Sequence, residues 1–513
     1  MTEPHQVRNG TLSPLSERAS YAAIVALLLF AIVLLYGQRV PFDSEQLYLL
    51  IPYKLFHPDF LRNDWTLSGG WGEHFVFNVA AGSLMLVLPL EVVGWLGRLA
   101  CWILALVALL RLGRRFGIPL LATSLAVLLW LAVGQSIVGG SRIFSDFEAQ
   151  AVAYVLLLFA VDRLLDDKDV QGAVLLGLCF SLHPSVGLAG GVAVGAGLLL
   201  RRTSWARLLR IAIWTFVFAL PGIIPALPLV AGSAAGSRAE WRFLTLVRMP
   251  WHLDAASFPH RSVLLLYLLL LFGWLQYRKN REDRALRFLL GFEAGLAAVF
   301  AVGLLVRYAG RYEWLEVFPF RVFPILAPLL FLFQVVRAFR DREQHRIQAW
   351  AAALALVAVM GLGDPIAGFW DQFSAFRAAS HKEDYARPAL RWIADHTPEG
   401  SVAILPPQVR ESFYWARRPQ IANWGAIRYD RVSEWRTRLE AMVGPLSDTD
   451  PQQATDEALE KRFAQLSEQQ VQAIAARYGG DYLVSMARYS YPVLFDSGTY
   501  RVYSLATVKA RVK

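Results

Sequence analysis

The chain has 513 residues, of which 56% are hydrophobic and only 18% charged, with a mean hydropathy of +0.38 and a formal net charge of +10. Soluble domains carry nearer a quarter charged residues, and here the apolar residues gather in runs of roughly 17–25, enough to cross a bilayer as helix. A soluble globular protein is therefore excluded, and the positive charge belongs to membrane topology rather than to nucleic acid, because Arg clusters recur at alternate loops.

A short tail, residues 1–19, precedes the first apolar run, Tyr21–Tyr36. Arg8 and Arg18 flank its N-terminal side, and Leu34-Leu35-Tyr36-Gly37-Gln38 lacks the small residues of a cleavage site, so the run reads as an uncleaved signal anchor. Spans are expected at 20–37, 91–111, 119–136, 149–165, 170–183, 185–201, 208–229, 262–277, 287–306, 320–338 and 347–364, about eleven in all. In this count the clusters Arg111/Arg114/Arg115, Arg201/Arg202/Arg207/Arg210, Arg278/Lys279/Arg281/Arg284 and Arg337/Arg340/Arg342/Arg346 share one side. The positive-inside rule makes that side the cytoplasm, with the N-terminus on it and the C-terminal region opposite.

Phe75–Leu90 is apolar enough to be a span, but a crossing there would invert every later cluster. Residues 38–90 therefore read as one long outer loop carrying interfacial helices, within a transmembrane domain of residues 20–368. At His183-Pro184 the halves Val170–Leu182 and Ser185–Leu200 meet, and the proline predicts a tight turn between two Gly-rich helices. Cys101 and Cys179 fall inside apolar runs and read as buried small hydrophobes.

From residue 369 to 513 the charge rises and turn signals appear. Val402–Leu405, Gln420–Asn423, Tyr482–Ser485 and Tyr500–Leu505 read as strands. Tyr385–His396, Val432–Met442 and Ser467–Tyr478 read as helices, the last with Ser467 as N-cap and Gly479-Gly480 as its stop. A small extracytoplasmic α/β domain after a mostly α bundle is the expected architecture.

Several side chains stand where chemistry on a membrane substrate would need them. Asp43 and Glu45 follow the first span; they read either as a general base with its neighbour or as caps of the helix that begins near Leu47. Arg142, Asp146 and Glu148 sit in the loop before the span at 149, where Glu148 also suits a helix N-terminus; otherwise the loop suits the headgroup of a lipid carrier, with Arg142 on its phosphate, and the acids suit an acceptor or a metal ion. Arg307, Arg311 and Arg321, with Glu313 and Glu316, surround a later outer boundary; they fit phosphate oxygens or snorkel to headgroups. His183 in its turn reads as a surface residue or a phosphate contact. No Walker A loop, H-E-x-x-H or dinucleotide fingerprint occurs, and no internal repeat, which argues against an ATP-driven or repeat-built transporter.

With the acidic Asp43-Ser44-Glu45, the basic turn ending Glu91–Arg115, the Gly-rich pair Gly172–Gly191 and the C-terminal domain on view, the layout resembles the GT-C superfamily of polytopic glycosyltransferases. Protein O-mannosyltransferases and the aminoarabinose transferases of lipid A are examples, and bacterial membrane proteins of this type with no assigned function are closer still. The resemblance implies a polyprenyl-phosphate-linked sugar donor and a glycan, lipid or protein acceptor on the outer face of a bacterial inner membrane. Transfer would proceed with inversion, Asp43 acting as base and Arg residues holding the phosphate. Some members use a divalent cation, Mg or Mn, and others none. His183 stands where many members have Lys, and the acids are not adjacent. A non-catalytic scaffold for lipid or glycan is the alternative, and a flippase a more distant one.

Overall fold

The computed structural model describes residues 14–69, 73–139, 141–233, 237–279, 281–340 and 385–505. Among the described residues ten helices form a bundle: α1 (Pro14–Tyr36), α4 (Leu90–Arg115), α5 (Leu120–Ala132), α6 (Ala149–Leu165), α7 (Asp169–Leu182), α8 (Pro184–Leu200), α9 (Trp205–Ser233), α12 (His260–Lys279), α13 (Arg284–Tyr308) and α14 (Phe323–Arg340). They correspond in order to the first ten expected spans, although α1 begins at Pro14 rather than after a tail to residue 19, and α5 stops at Ala132. The expected span 347–364 and the start of the C-terminal domain lie outside the described residues. Among the described residues four segments, Arg18–Tyr36, Leu90–Arg115, Trp205–Pro228 and Arg284–Tyr308, are long and apolar enough to cross a membrane by length and composition. Leu27 and Phe30 of α1 and Leu209, Ile213 and Phe216 of α9 are exposed, as a lipid-facing surface requires.

Close helix contact comes from small residues. A Cβ on Gly291 of α13 would stand 2.5 Å from the Ala196 carbonyl of α8, and one on Gly177 of α7 would stand 2.4 Å from the Thr215 carbonyl of α9. At the turn between α7 and α8, His183 is extended and Pro184 opens α8 at its first turn, where a missing N–H costs nothing.

The two ends of the bundle differ in charge. At one end Arg111 and Arg115 share Asp162 at 2.7 and 3.1 Å, and Arg207 and Arg210 share Asp169 at 2.6 and 2.5 Å. Arg201 pairs with Asp167 at 3.1 Å. Arg337 pairs with Asp283, the N-cap of α13, and donates to the Phe116 carbonyl at 3.4 Å. Residues from all four basic clusters or beside them thus gather at this end.

Among the described residues the opposite end carries the long first loop, the short helices and the C-terminal domain. Residues 37–89 leave α1 and re-enter at α4 there, holding α2 (Glu45–Phe56) and α3 (Phe75–Leu84). At ten residues α3 is about 15 Å long, half a hydrocarbon core. Short helices α10 (Arg238–Phe243) and α11 (Pro250–Leu253), joined by a π turn Leu244–Arg248, lie at the same end.

The C-terminal domain packs on this end. Its sheet has the order β1-β2-β4-β3, with β1 (Val402–Ile404) parallel to β2 (Gly480–Ser485), and β4 (Arg501–Ser504) antiparallel to β2 and to β3 (Val493–Asp496). Helix Glu468–Tyr478 has the expected Ser467 cap, completed by Gln470 as a capping box, and ends at Gly479 with φ +81°. Gln420–Asn423 is not a strand. It makes one bridge to Ala403, and its backbone is used in docking onto the first loop: Gln420 N–H donates to the fully buried Asp64 at 2.9 Å. Leu50, Leu61 and Leu67 of that loop share a core with Phe413 and Ala426.

Candidate active site

The site begins with one buried arginine. Arg98 of α4 has no solvent exposure and would be costly inside an apolar helix without partners. Its Nε and Nη2 grip both oxygens of Glu45 at 2.8 and 2.5 Å, and Nη2 also reaches Asp146 at 2.9 Å. Nη1 donates to the Gln38 carbonyl at 2.6 Å. Glu45 accepts further bonds from the Phe42 and Phe147 N–H groups, so its oxygens are filled. The knot ties the end of α1, the start of α2 and the loop before α6 to one point.

Glu45 therefore faces Arg98 and not open space, and this withdraws it as a base. Asp43, two residues earlier, is thrown the other way by a left-handed backbone at φ +48°, a conformation Asp tolerates better than most residues. The expected helix cap is not formed: Ser44 occupies the N-cap position of α2 without a side-chain cap bond, and its Oγ donates to Glu148 at 2.6 Å. The C-terminal domain holds Asp43 instead. Arg410 reaches its Oδ2 at 2.6 Å and Asp456 at 3.1 Å, while the Asp43 N–H donates to Glu411 at 2.9 Å. Glu411 also pairs with Arg39 at 3.0 Å. Asp43 Oδ1 makes no hydrogen bond among the described residues.

Asp43 lies on the wall of a cavity of about 740 Å³ between the bundle and the C-terminal domain. Arg142, Asp146, Glu148, His183 and Arg321 line the same cavity. Arg321 has no carboxylate partner among the described residues: it lies 3.9 Å from the Phe318 ring centre, reaches Gln150 Oε1 at 3.3 Å and His183 Nε2 at 3.4 Å, and leaves its buried Nε unbonded. His183 Nδ1 faces the Val186 N–H, also at 3.4 Å. A neutral imidazole has a single acceptor nitrogen, so these two contacts exclude each other. The His183 and His74 rings stack at 5.1 Å. Burial first, then the neighbouring His74 and Arg321, hold His183 well below the usual histidine range, so it is neutral at pH 7. Arg142 is exposed, with its guanidinium 5.7 Å from the Tyr36 ring centre.

The acids respond to the same confinement. Burial raises Glu148 to about 7, assisted by the charge of Glu45 and opposed by the Ser44 hydrogen bond. Asp146 is pushed well above the usual carboxylate range, first by burial and then by Glu45, against the pull of Arg98. Among the described residues no three His, Cys, Asp or Glu side chains converge as a cation would need. Asp146 is engaged by Arg98 and Glu148 by Ser44, so the acids do not fit a metal site and no step is drawn through one.

Two expected phosphate contacts lie elsewhere. Arg307 pairs with Asp254 at 2.6 Å, and Arg311 is exposed beside Glu313 at 3.8 Å; neither lines the cavity. Both stood out by charge alone, and their own carboxylates account for them. Conversely Arg98, Arg248, Arg410, Glu411, His74 and His252 were not singled out from the sequence. Arg98 carried a usable signal, a lone cation inside an apolar run. The others sit in loops or in elements of four or five residues, too short to show a periodicity.

Residues 385–442 match a family model described as a domain of unknown function (DUF6798). That stretch carries Arg410 and Arg428, which line the cavity from the C-terminal side, and Glu411, which accepts from the Asp43 N–H. No curated protein matches the chain. Among solved structures the chain is similar to "Crystal Structure of ArnT from Cupriavidus metallidurans in the apo state", at 13% identity and a TM-score of 0.47 over 97% of this chain and 99% of that one.

Proposed function

We propose that this chain is a membrane glycosyltransferase that moves a sugar from a polyprenyl-phosphate donor to an acceptor, with Asp43 as general base. One observation carries the reading: Asp43, the unpaired Arg321 and the neutral His183 line a single cavity of about 740 Å³ at the end of a helical bundle, a volume suited to a sugar phosphate with part of its acceptor. Phe180, Leu188, Ala226 and Val317 give that cavity an apolar side, and Leu188 and Val317 are 42% and 47% exposed at the bundle surface, which suits a lipid chain. The opposite, basic end is cytoplasmic by the positive-inside rule, so the cavity opens on the outer face of a bacterial inner membrane.

In this reading the donor phosphate rests on Arg321, with Arg142 nearby. The acceptor hydroxyl gives its proton to Asp43 Oδ1 and attacks the anomeric carbon. The bond from that carbon to the phosphate oxygen breaks, and its electron pair leaves on the phosphate, where Arg321 stabilises the charge. A base on one side and a leaving phosphate on the other give inversion. Arg410 and Glu411 orient Asp43 by its Oδ2 and its N–H.

The test is incubation of the purified protein with a panel of polyprenyl-phosphate sugars and envelope lipids or glycans, following release of polyprenyl phosphate. Release with one donor supports the reading. Binding of donors without release by any of them favours a lipid- or glycan-binding scaffold, a second reading for which the engagement of Asp43 by Arg410 is the supporting observation.

A further inference from the structure

The cavity holds a further arginine whose charge no carboxylate among the described residues answers. Arg248 ends the π turn Leu244–Arg248 and lines the cavity. Its Nε donates to the Trp424 carbonyl at 2.7 Å, and its guanidinium lies 5.0 Å from the Trp424 ring centre and 5.9 Å from that of Trp251. A guanidinium fixed along one edge and placed over two rings has already given up much of the freedom it would lose on binding. Among the described residues no carboxylate pairs with it, and its two Nη atoms make no hydrogen bond and are not sealed away. Arg410 and Arg428 on the same wall differ: they pair with Asp43 and Asp456, and with Asp430.

A strap between bundle and C-terminal domain would need only the Nε bond and the rings. The open Nη pair is the fork that grips two oxygens of a phosphate or carboxylate. An unanswered cation at a partly buried wall is costly, and an oxyanion relieves that cost. Arg248 lies in the field of Tyr429, Asp43, Arg410 and Asp456, and Arg321 contacts Gln150 and His183, while Tyr429 and His252 lie in the field of both arginines.

We propose that Arg248 is a second anion seat, separate from Arg321, and that it holds an acidic group, phosphate or carboxylate, carried by the acceptor beside Asp43. The assignment to the acceptor rests on the reading of Asp43 as its base; the seat itself does not. An acceptor of this class is a glycan or lipid headgroup bearing a phosphate or a uronic-type carboxylate.

The test uses full-length protein in nanodiscs of zwitterionic lipid, with inorganic phosphate as probe and ligand-observed NMR as readout. Wild type is expected to show two phosphate sites. Arg248→Gln weakens one of them by about tenfold or more and Arg321→Gln weakens the other, while Asp43→Asn keeps both. Glucuronate competing at the Arg248 site, with glucose inert, assigns a carboxylate; competition by glucose 6-phosphate alone assigns a phosphate. Arg248→Lys, which keeps the charge and the stem, is expected to bind severalfold more weakly and covers the case in which Arg248→Gln does not fold. The seat is overturned if phosphate titrates identically in wild type and in the folded Arg248 variants, or if the Arg248 and Arg321 variants abolish one and the same site. No transfer is read, so an absence of transferase activity leaves this result standing.

Discussion

Glu45 and Arg98, 53 residues apart, form a fully buried pair in which Arg98 holds both carboxylate oxygens, at 2.8 and 2.5 Å. The pair decides which of the two early acids faces the cavity. With Glu45 locked to α4, the chain two residues before it is free to turn outward, and Asp43 does so.

Breaking the pair from one side leaves a buried charge without an answer. Arg98→Leu is expected to cost about 3–5 kcal/mol, because the fully buried Glu45 is then left without its cation and beside the half-buried Asp146. The double variant Arg98→Met, Glu45→Gln is expected to recover part of that loss. Thermal unfolding in detergent measures both, and equal stabilities of the single variant and wild type would contradict the role.

Asp64 joins the first loop to the C-terminal domain, accepting from Leu67 N–H at 2.7 Å and Gln420 N–H at 2.9 Å. Burial raises it from 3.8 to about 6 despite these bonds. The folded state then holds the proton more tightly than the unfolded chain, so the contribution is fully present below about pH 4 and is lost as pH rises to about 6. The shift corresponds to about 3 kcal/mol. Hydrogen exchange of the amides at 400–425 is expected to speed up across that interval in wild type, after correction for intrinsic rates, and to lose the added dependence in Asp64→Asn.

Arg410 reaches Asp43 from 367 residues away and is half exposed. Exposed pairs contribute at most about 1 kcal/mol, so Arg410→Ala is expected to leave the melting temperature nearly unchanged. Its effect should fall on the orientation of Asp43: kcat drops about tenfold or more, the KM for donor is close to wild type, and Arg410→Lys restores part of the rate. Faster turnover in Arg410→Ala would instead make the contact a brake.

Glu148 stands on the cavity wall with a proton affinity near neutrality, at about 7. Above that pH it adds a negative charge within the field of Arg321, alongside Asp43 and Glu45. Anion binding is therefore expected to weaken as pH rises through about 7. Sulfate, which does not titrate in this range, is the probe, and Glu148→Gln should remove the step. The same step in Glu148→Gln would assign it to another group.

The bundle was legible because run length and the position of arginines are properties of a short stretch of chain. Ser467 with Gln470 and Gly479 could be read for the same reason, since a cap is completed within four residues. The bonds of Arg98 to Glu45, Asp64 to Gln420 and Asp43 to Arg410 were not legible, because each spans tens to hundreds of residues and no local pattern marks it. Strand β3 escaped because it is an edge strand, mostly exposed, with no alternation of buried and open positions. Arg307 and Arg311 misled for the converse reason: charge at an outer boundary is visible in the sequence, whereas the carboxylates that answer it, Asp254 and Glu313, become partners only in space or by chance of spacing.

The most direct test is the rate of sugar release from the polyprenyl-phosphate donor that wild type uses, compared in wild type and Asp43→Asn under single-turnover conditions. Asp43→Asn, folded and with donor affinity unchanged, is expected to lose at least about a hundredfold in rate, the range of a general base. Release at the wild-type rate by Asp43→Asn would contradict the role of Asp43.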